Sequence, residues 1–155
     1  MDNIDKQILS MLQQNARTPL KVLAEKVFLS SPAVSARIKQ LENDGVITGY
    51  RAEMNPAKLG CFITAFINIA MDGSRKEEFY EFADRCPNVT ECNFITGDYS
   101  MLLKVAFPTT FELDVFVGEL QKFGKTQTTI VFSTPIKPRG ISIESETIIP
   151  KKKRN

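Results

Sequence analysis

The sequence predicts an α+β chain in two parts, an N-terminal helix-turn-helix domain followed by a C-terminal βαββαβ domain of ferredoxin-like pattern. Three observations predict it. Apolar residues recur at the helical period of about 3.6 early in the chain and switch to a period of 2 from Cys61 onward. Two start signals, Thr18-Pro19 and Ser31-Pro32, bracket a short helix at helix-turn-helix spacing. The charge is also unevenly divided: residues 1–60 carry +2, residues 61–149 carry −4 and residues 150–155 carry +4, within a total of +2.

Each element follows from its own pattern. Ile4, Ile8, Met11 and Leu12 share a face and predict a helix over 3–14. Thr18 as N-cap and Pro19 at the first helical position open a second helix, whose buried stripe is Leu20, Leu23, Ala24 and Val27. Phe28, Leu29 and Ser30 form the turn before Ser31-Pro32. Val34, Ile38 and Leu41 then repeat at helical spacing, and Gly45 stands where a helix-terminating glycine belongs. Residues 47–60 read as an apolar connector that includes an extended piece over Ile47–Met54 and then Asn55-Pro56. From Ile63 to Met71 alternate residues are apolar, which describes a strand with one dry face. Ser74–Cys86 is helical, Val89–Thr96 is a strand, Gly97-Asp98 is a turn, and Met101–Phe107 alternates as the next strand. Pro108-Thr109-Thr110 leads into a helix with Leu113, Phe116, Val117 and Leu120 on one face, and Thr126–Phe132 is β-branched and strand-like. A last strand is expected around Gly140–Ile149. The expected division is 1–46, a connector over 47–60, 61–149, and a basic tail over 150–155.

Composition removes several classes of function. The 155 residues include no histidine, so neither a Ser-His-Asp triad nor a histidine metal site can be built. No paired carboxylates or phosphate-cradling glycine run suggests catalysis, and no enzyme activity, metal or cofactor is expected. The three cysteines, Cys61, Cys86 and Cys92, lack C-x-x-C spacing and read as small hydrophobes. The sequence has neither a signal-peptide pattern nor an apolar run long enough to span a membrane, so a reduced cytoplasm is the expected compartment.

With Val34, Ile38 and Leu41 inward, the third helix presents Pro32, Ala33, Ser35, Ala36, Lys39 and Gln40 outward. Small residues allow close approach to base edges, while hydroxyls and amides can hydrogen-bond them. Ser30 and Ser31 stand at the positive N-terminus of that helix, and Arg37 and Lys39 are expected to hold phosphates. Double-stranded DNA is the partner this pattern fits; a three-helix packing unit with a solvated polar face fits it as well.

Ile4-Asp5, Ile8-Leu9, Asn15-Ala16-Arg17, Leu23-Ala24, Leu29-Ser30, Arg37-Ile38, Gly45-Val46-Ile47 and Leu59-Gly60, together with Glu91-Cys92, Thr96-Gly97-Asp98-Tyr99 and Leu102-Leu103-Lys104-Val105, resemble the leucine-responsive regulatory protein (Lrp/AsnC) family. The resemblance implies a DNA-binding transcription regulator with an ACT-like effector and oligomerisation domain, forming dimers and octamers, nucleoid-associated, on a pseudo-palindromic operator. It further implies that an amino acid binds between dimers near Gly97, Asp98, Tyr99 and Ser100, with Thr126 and Thr128 nearby. One departure stands out: the family's aspartate followed by an aromatic is here Ser100-Met101. A charge-assisted bond to an α-ammonium, about 1.5–3 kcal/mol, becomes a neutral one of about 1 kcal/mol, which predicts a changed or weakened effector. The alternative is an architectural DNA-wrapping protein that responds to no effector. The basic run Lys151–Arg154 reads either as a phosphate contact or as a solvated tail.

Overall fold

Asp2 and Asp5 start the first helix, α1 (Asn3–Gln14). The Asp5 N–H donates to Asp2 Oδ1 at 2.9 Å and the Asp2 N–H to Asp5 Oδ2 at 2.8 Å, which satisfies two donors that the helix itself cannot. The structure, a computed structural model, describes residues 1–71 and 73–143. Helix α2 (Leu20–Val27) begins at Pro19 with no side-chain cap, because Thr18 turns its hydroxyl back to the Asn15 carbonyl at 2.7 Å. Helix α3 (Ser31–Asn43) is capped by Ser30, whose Oγ accepts the Ala33 N–H at 3.3 Å. It ends as expected: Gly45 takes φ +69° and the Val46 N–H returns to the Leu41 carbonyl at 2.9 Å. Ile8, Leu12, Leu23, Ala24, Val27 and Val34 form the core of the three helices, with Ile38 and Ile47 packed against it.

The described residues divide into two compact units, Met1–Glu53 with residues 138–143, and Met54–Lys137. This differs from the division read at residues 46 and 60. Ile47–Met54 forms no strand; instead Tyr50 donates to Glu42 Oε1 at 2.8 Å, which holds it to the first unit. Asn55 then accepts the Ala57 N–H at 3.1 Å and starts a short 3-10 turn, Pro56–Leu59. Residues 138–143 group with the first unit, where Gln13 Nε2 donates to the Ile141 carbonyl at 3.0 Å. Residues 140–143 form no strand. The rest of the expected last strand, and the basic tail, lie outside the described residues.

In the second unit the elements run β1 (Ile63–Met71), α4 (Lys76–Arg85), β2 (Val89–Phe94), β3 (Met101–Phe107), α5 (Thr110–Leu120) and β4 (Gly124–Ile130). The sheet order is β2-β3-β1-β4 with antiparallel neighbours, the split βαβ arrangement. Thr109 and Glu112 cap α5 reciprocally, as Asp2 and Asp5 cap α1. Ala65, Ile67 and Ile69 are fully buried, in one cluster with Phe79 of α4, Leu103 and Val105 of β3, and Leu120 of α5. The dry face of β1 is therefore filled by the chain's own helices, and the opposite face, bearing Thr64, Phe66 and Asn68, stays more open. Strand β4 starts two residues before the expected Thr126. A β-carbon on Gly124 would overlap the Ala70 carbonyl, so only glycine lets β4 enter beside the end of β1.

Candidate DNA interface and effector turn

Helix α3 presents Pro32, Ser35, Ala36, Lys39 and Gln40 to solvent, while Ser31 and Ala33 are half-buried in its first turn. Four of the five exposed positions are free of ion pairs and side-chain hydrogen bonds to the rest of the first unit; Gln40 instead donates to Asp44 Oδ1 at 2.7 Å. The outcome is a narrow surface of small side chains with one ammonium, the shape and chemistry that a major groove admits.

Arg37 is placed differently from the expectation. Its Nη1 lies 2.8 Å from Asp2 Oδ2 and 2.8 Å from Asp5 Oδ1, so the guanidinium joins α3 to the capped start of α1. One cation between two carboxylates adds no net positive charge to offer a phosphate. The Asp5 backbone N–H, and after it the Arg37 guanidinium, hold the Asp2 carboxyl below the usual carboxylate range; bonds to Asp5 and then Asp2 raise the Arg37 guanidinium above its ordinary value. Because the folded-state value of Asp2 is depressed, its contribution is present above the ordinary value near 3.9 and is lost as pH falls through the depressed one. Arg37→Ala is therefore expected to lower the melting temperature of the first unit at neutral pH and to flatten its decline below about pH 4. It should weaken DNA binding by loosening α3, with the salt slope unchanged. A slope reduced by about one would instead make Arg37 a phosphate contact.

Two features of this unit escaped the sequence reading. The Asp2-x-x-Asp5 spacing is a capping signature that would have placed the start of α1; its second role toward Arg37 has no local signal. The other is Phe28, which closes α2 in the left-handed conformation, φ 56° and ψ 42°. That conformation costs an L residue roughly 1–2 kcal/mol, and Phe28 is exposed to solvent.

The effector residues expected near Gly97 lie at one end of the sheet. Gly97 takes φ +111° in the turn between β2 and β3, and Gly97 and Asp98 are exposed while Tyr99 is half-buried. Ser100 is engaged within the fold: its N–H donates to the Ile69 carbonyl at 2.9 Å, and its Oγ accepts the Met71 N–H at 3.2 Å and lies 3.2 Å from the Ile69 carbonyl. This hydroxyl pins the turn to the end of β1, which explains a serine here without any ligand. Thr126 and Thr128 stand on β4 opposite Ile69 and Ile67, across β1 from β3. The register puts Thr126 roughly 10 Å from Met101, two strand spacings away across β1.

Among the described residues no group of three or more Cys, Asp and Glu could hold a metal ion, and no helix is long and apolar enough to cross a membrane.

Comparison with known proteins gives a consistent picture. Residues 1–48 match the family described as winged helix-turn-helix DNA-binding, and residues 64–141 match the Lrp/AsnC ligand binding domain. The HTH-type transcriptional regulator LrpA of Bacillus subtilis is 36% identical over 132 residues, covering 84% of this chain and 97% of that one. The solved structure of Escherichia coli AsnC is similar with a TM-score of 0.82 and 31% identity, covering 92% of this chain and 98% of that chain. The L-Met complex of the transcriptional regulator NMB0573 from Neisseria meningitidis is similar with a TM-score of 0.83 and 28% identity, covering 90% and 94%.

Proposed function

The chain belongs to the Lrp/AsnC family of helix-turn-helix transcriptional regulators, and on that premise we propose that a homo-oligomer of it binds a pseudo-palindromic duplex site and is tuned by an amino acid. The observation that supports DNA readout is the solvent face of α3, where Pro32, Ser35, Ala36 and Lys39 are exposed and unengaged. Lys39 supplies a phosphate contact, with Ser30 and Ser31 at the positive end of the helix. A dimer carries two such helices, and its half-sites lie about one helical turn apart. The presence of a ligand-binding domain over 64–141 disfavours the effector-independent wrapping alternative.

An amino acid is the effector class we assign, since a similar regulator is solved with L-Met. Gly97 gives a carboxylate close access to backbone N–H groups, and Asp98 meets an α-ammonium. With the Ser100 hydroxyl held by β1, the ligand contacts on this turn fall to Gly97, Asp98 and Tyr99. Thr126 and Thr128 serve the same ligand from a second copy of the chain. The ligand acts by favouring the assembly that binds it better. Calorimetric titration of single amino acids into the full chain is expected to give saturable heat for at least one, with a change in assembly size by light scattering. Asp98→Ala should weaken that binding about tenfold or more, the size of a lost charge-assisted bond. Absence of heat for every amino acid would overturn the effector class.

A further inference from the structure

Phe28 stands out on two independent counts. Among the described residues it is the one non-glycine with positive φ, and the residue is 94% exposed. The left-handed turn itself has a clear purpose. The Phe28 and Leu29 N–H groups both return to the Ala24 carbonyl, Leu29 at 3.0 Å, which ends α2 and lets Leu29 pack against the core of the three helices. Glycine would meet that backbone need without opposition. The phenyl ring thus opposes the conformation it occupies and gains little from burial, so the fold does not explain it.

Its position offers an explanation. Phe28 precedes Ser30, the N-cap of α3, by two residues, so the two Cα atoms are within about 7.6 Å. In a helix-turn-helix the N-terminal residues of the recognition helix are the ones that reach base edges. A ring on this turn is exposed beside the end of α3 that a groove would receive. We propose that Phe28 is a DNA-contacting residue, its ring lying against a deoxyribose or a thymine methyl at the edge of the half-site; this rests on the DNA-binding reading above. The contact is apolar and local, so it adds affinity without adding a phosphate charge.

The test is Phe28→Gly in the full chain, measured for thermal stability and for binding to the duplex that the unaltered protein binds. The ring's removal should leave stability equal or raise the melting temperature by several degrees, since glycine suits positive φ. Affinity should fall about tenfold, as expected for an exposed aromatic anchor removed from an interface, with the salt slope unchanged. Affinity lost while stability is kept or gained is the signature. Equal affinity in the variant would overturn the proposal, as would a lower melting temperature, which would give the ring a role in folding. Changed self-association with unchanged DNA affinity per dimer would overturn it too, assigning the ring to a contact between copies. If the unaltered protein bound no duplex at all, the DNA-binding reading would fall, and this inference with it.

Discussion

Phe79→Ala is expected to lower the stability of the second unit by about 3–5 kcal/mol. Phe79 is fully buried and its ring meets the edge of Phe123 at 5.5 Å between centroids, inside the cluster formed by Ala65, Ile67, Ile69, Leu103 and Leu120. Truncation removes the ring from the middle of a closed layer, where backbone cannot collapse to fill the space. Domains have a total stability of only about 5–15 kcal/mol, so the variant should unfold at a much lower denaturant concentration. The first unit has its own core around Ile8, Leu23 and Val34. Its helices should therefore melt separately and near their original midpoint, converting one apparent transition into two. A loss below about 1 kcal/mol would mean that Phe79 is not packed as described.

Ala36→Glu is expected to reduce duplex affinity on the order of 100-fold, since like charges brought together at an interface cost several kcal/mol. Ala36 is exposed at the centre of the α3 surface between Ser35 and Lys39. A carboxylate there would face phosphates and acceptor-rich base edges. Glutamate is a good helix former, so circular dichroism and melting temperature should stay as they are. Fold and binding are thereby separated, unlike in Arg37→Ala, where both should move together. Unchanged affinity in Ala36→Glu would mean that α3 is not the helix that enters the groove.

Much of the fold was legible because its signals are local. Ala65, Ile67 and Ile69 alternate along one strand, and Leu113, Phe116 and Leu120 fall on one helical face, so periodicity alone orders βαββαβ. The start of β4 was not legible, since Gly124 and Lys125 have low strand preference and are held there by pairing with Met71 and Ala70, more than fifty residues earlier. The helix-turn-helix was legible from its two Pro-containing start signals and their spacing, although Thr18 does not cap α2; the same periodicity placed Ser35, Ala36 and Lys39 on the exposed face. Arg37 was not placed by the same rule. It lies three residues after Val34 and four before Leu41, on the flank of the buried stripe, where helical geometry permits either an inward or an outward guanidinium. Asp2 and Asp5 decide the matter, and they sit on another helix. Ser100 escaped for the same reason: its partners are the backbone groups of Ile69 and Met71, about thirty residues away. Long-range pairing assigns the roles that periodicity leaves open.

The measurement that tests the central claim most directly is equilibrium binding of the full chain to the duplex upstream of its own coding sequence and to a scrambled duplex of equal length. Each is measured across a series of salt concentrations, with and without a pooled set of amino acids. The account predicts tighter binding to the upstream duplex, a linear loss of affinity with rising salt, and a shift in affinity or assembly when the pool is added. Equal binding to both duplexes, unmoved by the pool, would contradict it.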